Sequence, residues 1–270
     1  MEFIRQALDR VKGALPPPVQ SAAPARSRAP SSADQAKSAR PHPGEIGLEP
    51  RHLESRRIIA HDVRDPRAKS FDILRTQVLR GMDTSHWQIL AVTSPTPGCG
   101  KTLTSINLAL SIARQSDRAV LLVDLDLQKP RVAACLGLTC STGVLSVIEG
   151  ATRLQDALIQ TRVAGSRIVV LPTEQPITGS SEWMTSAGMR AMLQAIRRDF
   201  QSWTVILDMP PVLTGDDVIA VLPQIDCALL VAAAGKSQRS EIEEAARHLA
   251  STDVVRLVLN KVPEDVSRYY

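Results

Sequence analysis

The sequence predicts an α/β fold: a mostly parallel sheet covered by helices on both faces. Six apolar runs, at residues 88–93, 119–125, 167–172, 203–209, 226–233 and 254–260, are separated by segments long enough to hold helices. Such β-then-α alternation builds a parallel sheet. The runs are nearly continuous rather than alternating with polar residues, so helices must cover both faces. Apolar residues over 102–115, 181–199 and 239–250 supply that cover.

Taken in order, the chain opens with Ile4, Leu8, Val11 and Leu15, one apolar stripe of a short helix ended by Pro16, Pro17 and Pro18. Residues 1–15 thus read as an amphipathic segment that either docks on another protein or caps the domain locally. The Pro/Ala/Ser-rich stretch 16–46 is a disordered linker by composition, made mildly basic by Arg26, Arg28, Lys37 and Arg40. Ordered structure is expected over 47–260, beginning with a helix at 66–82 that places Phe71, Leu74 and Val78 on one side. Residues 261–270 form a tail.

With 44% hydrophobic residues, the 270-residue chain can bury a substantial core in one or two domains. No apolar run nears the roughly 18 residues of a membrane span. Met1 to Leu15 lacks the apolar block of a signal peptide, so a cytoplasmic location is expected. A formal charge of +4, concentrated before residue 70, is too small to announce a nucleic-acid surface. Cys99, Cys135, Cys140 and Cys227 form no CxxC pair and are expected to be reduced. The histidines show no metal-ligand spacing.

The most specific motif is Thr93-Ser94-Pro95-Thr96-Pro97-Gly98-Cys99-Gly100-Lys101-Thr102. It lies between an apolar run and a helical pattern, the setting of a phosphate-binding loop. Gly98 and Gly100 let backbone N–H groups turn inward, Lys101 supplies a cation, and Thr102 offers a hydroxyl to magnesium. The following helix aims its positive end there. That dipole amounts to only about half a charge, so it assists the lysine and metal without replacing them. Pro95 replaces the usual first glycine, and a Gly-rich turn before a helix can be mere capping. The preceding strand, with Leu103, Ile106 and Leu110 at helical spacing, favours the phosphate reading. Cys99, a thiol near a lysine and a helix N-terminus, is either redox-sensitive or a small residue that fits the loop.

Ligands of open α/β sheets collect at the carboxyl ends of strands. Two runs end there in acids: Val120-Leu121-Leu122-Val123-Asp124-Leu125-Asp126 and Val205-Ile206-Leu207-Asp208-Met209-Pro210-Pro211. Singly, such an aspartate is as often a turn residue or cap. Beside Lys101 and Thr102, the three supply what phosphoryl transfer needs: metal ligands and a group that positions or deprotonates a nucleophile.

These segments, with Pro130 after the second aspartate and Val212-Leu213 after the Pro-Pro turn, resemble the Walker A, A′ and B elements of the bacterial tyrosine kinases. Those are cytoplasmic autokinases of capsule and exopolysaccharide export, within the MinD/ParA-like superfamily of P-loop NTPases. The resemblance covers roughly residues 65–270, with lesser matches at Gly143, Leu145, Val147, Ser181-Glu182, Met189, Asp217 and Val258-Leu259-Asn260-Lys261. The N-terminal helix and linker are similar to stand-alone kinases of exosortase-associated loci. Partition and septum-site ATPases, the nearest rivals, carry a lysine where this chain has Thr96 and a glycine where it has Pro97.

The resemblance implies ATP and Mg2+ as cofactors. Lys101 would hold the transferred phosphates, Asp124 and Asp126 would act on metal and nucleophile, and Thr102, Asp124 and Asp208 would form the metal environment. Which aspartate takes the tyrosine proton stays open. Pro97, Gly98, Cys99, Gly100, Lys101, Thr102, Leu103 and Asn260 are the candidate nucleotide contacts. The implied partners are a membrane chain-length determinant or activator protein, which recruits the chain to the inner membrane, and further copies of the chain itself.

The chain has two tyrosines, Tyr269 and Tyr270, both in the tail. Either the protein is simply poor in aromatics, or these are the phosphoacceptors, a family tyrosine cluster reduced to a pair. The last predicted strand ends near Asn260 at the edge that should hold the phosphate loop. From there ten residues span at most about 33 to 36 Å. Two departures stand out. Lys69, Asp72 and Arg75 align with a family E-x-x-R-x-x-R pattern used between subunits, and Gln128 stands where an arginine commonly follows the second aspartate.

Overall fold

The computed structural model describes residues 44–115 and 118–263, except the side chain of Val255. Segment 1–15, most of the linker, and Tyr269 and Tyr270 lie outside the described residues. Along the chain run β1 (Ile46–Gly47), α1 (Pro50–Ser55), α2 (Ala68–Ser85), β2 (Ile89–Thr93), α3 (Lys101–Ala113) and β3 (Val120–Asp124). They are followed by α4 (Val132–Leu136), α5 (Val144–Ile148), α6 (Leu154–Ala157), β4 (Ile159–Val163), β5 (Ser166–Leu171), α7 (Ser180–Thr185) and α8 (Ala187–Asp199). The last elements are β6 (Thr204–Asp208), α9 (Asp217–Val221), β7 (Cys227–Ala233), α10 (Arg239–His248) and β8 (Asp253–Asn260). The strands form one sheet in the order β1-β4-β5-β3-β6-β2-β7-β8. Every neighbouring pair is parallel except β4 with β5.

All six runs expected as strands form strands. The central ones, β2, β3 and β6, are buried at every residue, as continuous apolar runs require. Their side chains alternate between two cores. Leu90, Val92, Leu122 and Ile206 face one cluster with Ile106 and Leu110 of α3 and Val78 of α2. Ile89, Ala91, Val123 and Leu207 face another with Met192, Leu193 and Ile196 of α8.

Because α3 is buried along most of its length, it anchors the phosphate loop rigidly. Within it, Asn107 accepts from the N–H groups of Ile59 and Ala60 at 2.8 and 2.9 Å and donates to Arg57 O and Leu103 O. That bolts the segment before α2 to the helix that carries Lys101.

Three features differ from the sequence expectation. The single helix expected at 181–199 breaks at Ser186, whose hydroxyl accepts from Met189 N at 3.0 Å and starts α8 afresh. An N-cap serine competes with helix continuation. Strand β4 also went unforeseen. It pairs with β5 across a hairpin whose turn residues, Ala164 and Gly165, take φ of 47° and 84°. Lastly, β1 adds two residues beside β4. Among the described residues no helix is long and apolar enough to cross a membrane.

Candidate active site

The order β3-β6-β2 sets the carboxyl ends of three strands side by side. Asp208 pairs in register with Asp124 on one flank and with Val92, just before the loop, on the other. Past β6 the backbone runs along the loop's entry, with Met209, Val212 and Leu213 donating to Val92 O, Ser94 O and Pro95 O. The two prolines between have no N–H to offer, and Thr93 Oγ1 instead donates to Pro210 O at 2.6 Å. One stretch thus delivers Asp208 and braces the turn in which Pro95 replaces glycine.

Gly98 and Gly100 take φ of 81° and 97°, left-handed values that side chains other than glycine rarely adopt. A Cβ at Gly100 would stand 2.2 Å from Asn260 Nδ2. That amide donates to Cys99 O at 3.0 Å and ties the end of β8 to the loop. Cys99 is fully buried, and its thiol donates to Thr96 O at 3.2 Å. An enclosed thiol spent on a loop carbonyl favours the space-filling reading over the redox one. Pro97 is exposed on the rim, and the Leu103 side chain packs against the core beneath α3.

Lys101 Nζ donates to Asp126 Oδ2 at 2.6 Å, with the two side chains only 11% and 7% exposed. Thr102 Oγ1 and Ser105 Oγ donate to the two oxygens of Asp208 at 2.7 and 2.9 Å. Asp124 Oδ2 accepts from the backbone N–H groups of Arg131 and Val132, each at 2.9 Å. Lys101, Thr102, Asp124, Asp126 and Asp208 therefore converge from three loops. Ser105 belongs with them and was not foreseen; one turn beyond Lys101, it reads in the sequence as an ordinary helical residue.

Three carboxylates around one ammonium, largely without solvent, must shift one another's titration. Burial pushes Asp124 up to about 8, and the neighbouring Asp208 pushes the same way. Burial also raises Asp208, against the pull of Lys101. For Lys101, burial favours the neutral amine, but Asp208 and Asp126 outweigh it and hold the group above the ordinary lysine value. The site keeps its cation charged and shares too few positive charges among its acids.

Comparison with known proteins supplies the family. Residues 87–230 match the AAA domain family, to which the chain belongs. The tyrosine-protein kinase CpsD of Streptococcus pneumoniae serotype 4 is 30% identical over 188 residues, which cover 67% of this chain and 79% of that one. The chain belongs to the bacterial tyrosine-protein kinases. CpsD of Streptococcus agalactiae serotype Ia is 29% identical over 203 residues, covering 74% and 84% of the two chains. Among solved structures, the kinase domain of Escherichia coli tyrosine kinase ETK has a TM-score of 0.66 at 27% identity, covering 75% of this chain and 78% of that one. The chimerical protein CapA2B2 has a TM-score of 0.69 at 25% identity, covering 83% and 95%.

Two further lysines of the kinase reach its phosphate loop. Lys236, after β7, donates to Pro97 O at 2.5 Å, and Lys261, after β8, donates to Gly98 O at 2.7 Å. Lys236 carried no motif in the sequence, because only the adjacency of β7 and β2 brings it there. Within α2, Asp72 accepts from Arg75, Ser111 and Arg114. Two positions aligned with a pattern used between subunits are thus engaged within the chain.

Proposed function

We propose that the chain is an ATP- and magnesium-dependent tyrosine autokinase that phosphorylates Tyr269 and Tyr270, and that this modification regulates exopolysaccharide polymerisation or export. The buried Lys101–Asp126 pair, beside Asp208 and Thr102, carries the proposal. In it a cation suited to holding phosphate stands against an acid suited to taking a proton. A triphosphate seated on the loop would compete for Lys101 and free Asp126 Oδ2 to orient the tyrosine hydroxyl and accept its proton, as the phenol oxygen bonds to the γ-phosphorus and the bond from that phosphorus to the β,γ-bridging oxygen breaks, with ADP leaving.

Magnesium fits the residues present. Mg2+ keeps several waters and takes one or two protein carboxylates together with substrate phosphates. Among the described residues no cluster of three or more histidine, cysteine or acidic side chains forms a self-sufficient metal site. Asp208 and Asp124, with Thr102 between loop and strand, offer that sparse oxygen set. When bound, the ion would neutralise charge on the phosphates.

Each phosphotyrosine adds about −1.5 to −2 charges, so a doubly modified tail would be repelled by this acidic site. We also place a membrane activator or chain-length determinant protein and further copies of the chain among the partners, and recruitment to the inner membrane with them. The test is incubation with ATP and Mg2+, with and without the activator's cytoplasmic segment, followed by mass spectrometry of the tail peptide. Lys101→Met and a Tyr269→Phe/Tyr270→Phe double variant are the controls. Phosphate on the tail, lost in Lys101→Met, is expected. Intact nucleotide binding without tail phosphate would instead indicate an ATP-gated regulatory subunit.

A further inference from the structure

Beside the active site lies a cavity of about 460 Å³, lined among others by Gln128, Lys129, Ile177, Ser180, Thr214 and Asp217. Gln128 follows Asp126 by two residues, so the cavity opens next to the proposed proton acceptor. Asp217, only 3% exposed, lines this cavity. Its Oδ2 accepts from Ser180 Oγ at 2.9 Å and from Gln128 Nε2 at 3.1 Å. Its Oδ1 is buried and has no partner among the described residues. Both donors are neutral. Lys129 is exposed on the rim and does not reach this oxygen.

A buried carboxylate lacking both a countercharge and a partner for one oxygen is costly to hold. Its natural complement is a guanidinium, which offers planar, multiple donors and is less strongly hydrated than an ammonium. Beyond Lys261 the chain has one cation, Arg268, immediately before Tyr269 and Tyr270.

We propose that this cavity is the specificity pocket for the phosphoacceptor tail, with Asp217 pairing with the guanidinium of Arg268 and so presenting the adjacent tyrosines to Asp126. The inference rests on the tail being the substrate. Reach permits it: the loops lining the cavity follow β6, β3 and β5, three to five strand spacings from β8, about 14 to 24 Å, and the eight residues from Asn260 to Arg268 span at most about 26 to 29 Å. The same pocket can take the tail of a second copy. Asp217 is then a positioning residue rather than a catalytic one. Its contribution is to the affinity of the acceptor and not to that of the nucleotide.

The test uses full-length Arg268→Ala kinase, so that its own tail does not compete, and fluorescently labelled peptides EDVSRYY and EDVSAYY. Anisotropy should show the arginine peptide binding about tenfold tighter or more, the range of a charge-assisted contact. Adding Asp217→Asn should erase that difference while ADP affinity stays unchanged. Adding Gln128→Arg, which supplies the missing cation from an exposed position, should erase it too. Equal affinity for the two peptides, no binding of either, or a preference that survives Gln128→Arg would overturn the proposal. Phosphate on the peptide is read by mass spectrometry after a parallel incubation with ATP, Mg2+ and the activator's cytoplasmic segment. Discrimination without phosphate would refute the kinase reading of the tail and leave the pocket standing, whereas phosphate without discrimination would do the reverse.

Discussion

Without metal or nucleotide, Asp124 should make the kinase less stable as pH rises. Burial first, and Asp208 second, lift its carboxyl from 3.8 to about 8. An acid raised in this way binds its proton more tightly in the folded chain than in the unfolded one. The stability it contributes is complete below the unfolded value and is lost as pH climbs through the folded one. At 1.36 kcal/mol per pKa unit, the loss between pH 5 and pH 8 is on the order of 3 kcal/mol. Asp124→Asn removes the titration but retains an oxygen for the Arg131 and Val132 N–H groups. It also turns an amide towards Asp126 N, which now donates to Oδ1 at 3.2 Å, a pH-independent cost of about 1 kcal/mol. Urea unfolding of both proteins in chelator at four pH values measures the difference directly. The variant should be close to the parent in stability at pH 5, where the unfolded carboxyl has already ionised, and more stable at pH 8, with the gap moving by about 3 kcal/mol. Parallel stability profiles would refute the burial argument and mean that Asp124 is ionised in the folded apo protein.

Other perturbations separate the parts of the site. Gly100→Ala should abolish nucleotide binding and lower the melting temperature, because its Cβ would meet Asn260 Nδ2 at 2.2 Å; Gly98→Ala meets the movable end of Lys236 at 2.6 Å and should be milder in calorimetry. Lys101→Met should destabilise the apo kinase by about 3 to 5 kcal/mol by leaving Asp126 buried and unpaired. A second change, Asp126→Asn, should restore part of that in chemical unfolding. Asn107→Ala removes three hydrogen bonds that join residues 57–60 to α3 and one to Leu103 O within the helix; a loss of about 2 to 4 kcal/mol is expected, with faster hydrogen exchange over residues 57–60.

What could be read from the sequence follows from what local pattern encodes. Strand β6 is legible because all five of its residues are buried, which forces a continuous apolar run. Strand β4, Ile-Gln-Thr-Arg-Val, lies near the sheet margin with only Thr161 and Val163 buried, so its pattern resembles a solvated segment. The aspartates were visible as strand ends, but their partnerships were not. Lys101 and Asp126 are 25 residues apart, and Thr102 and Asp208 are 106 apart. These contacts exist only because β6 inserts between β3 and β2, an order that no local window encodes. The same reasoning covers Gln128 and Asp217, 89 residues apart. In the sequence, Gln128 is a neutral residue at a position where a cation was expected. In the fold its amide donates to one oxygen of Asp217 while the other has no partner among the described residues, so, on the pocket proposal, the departure bears on how the acceptor is recognised.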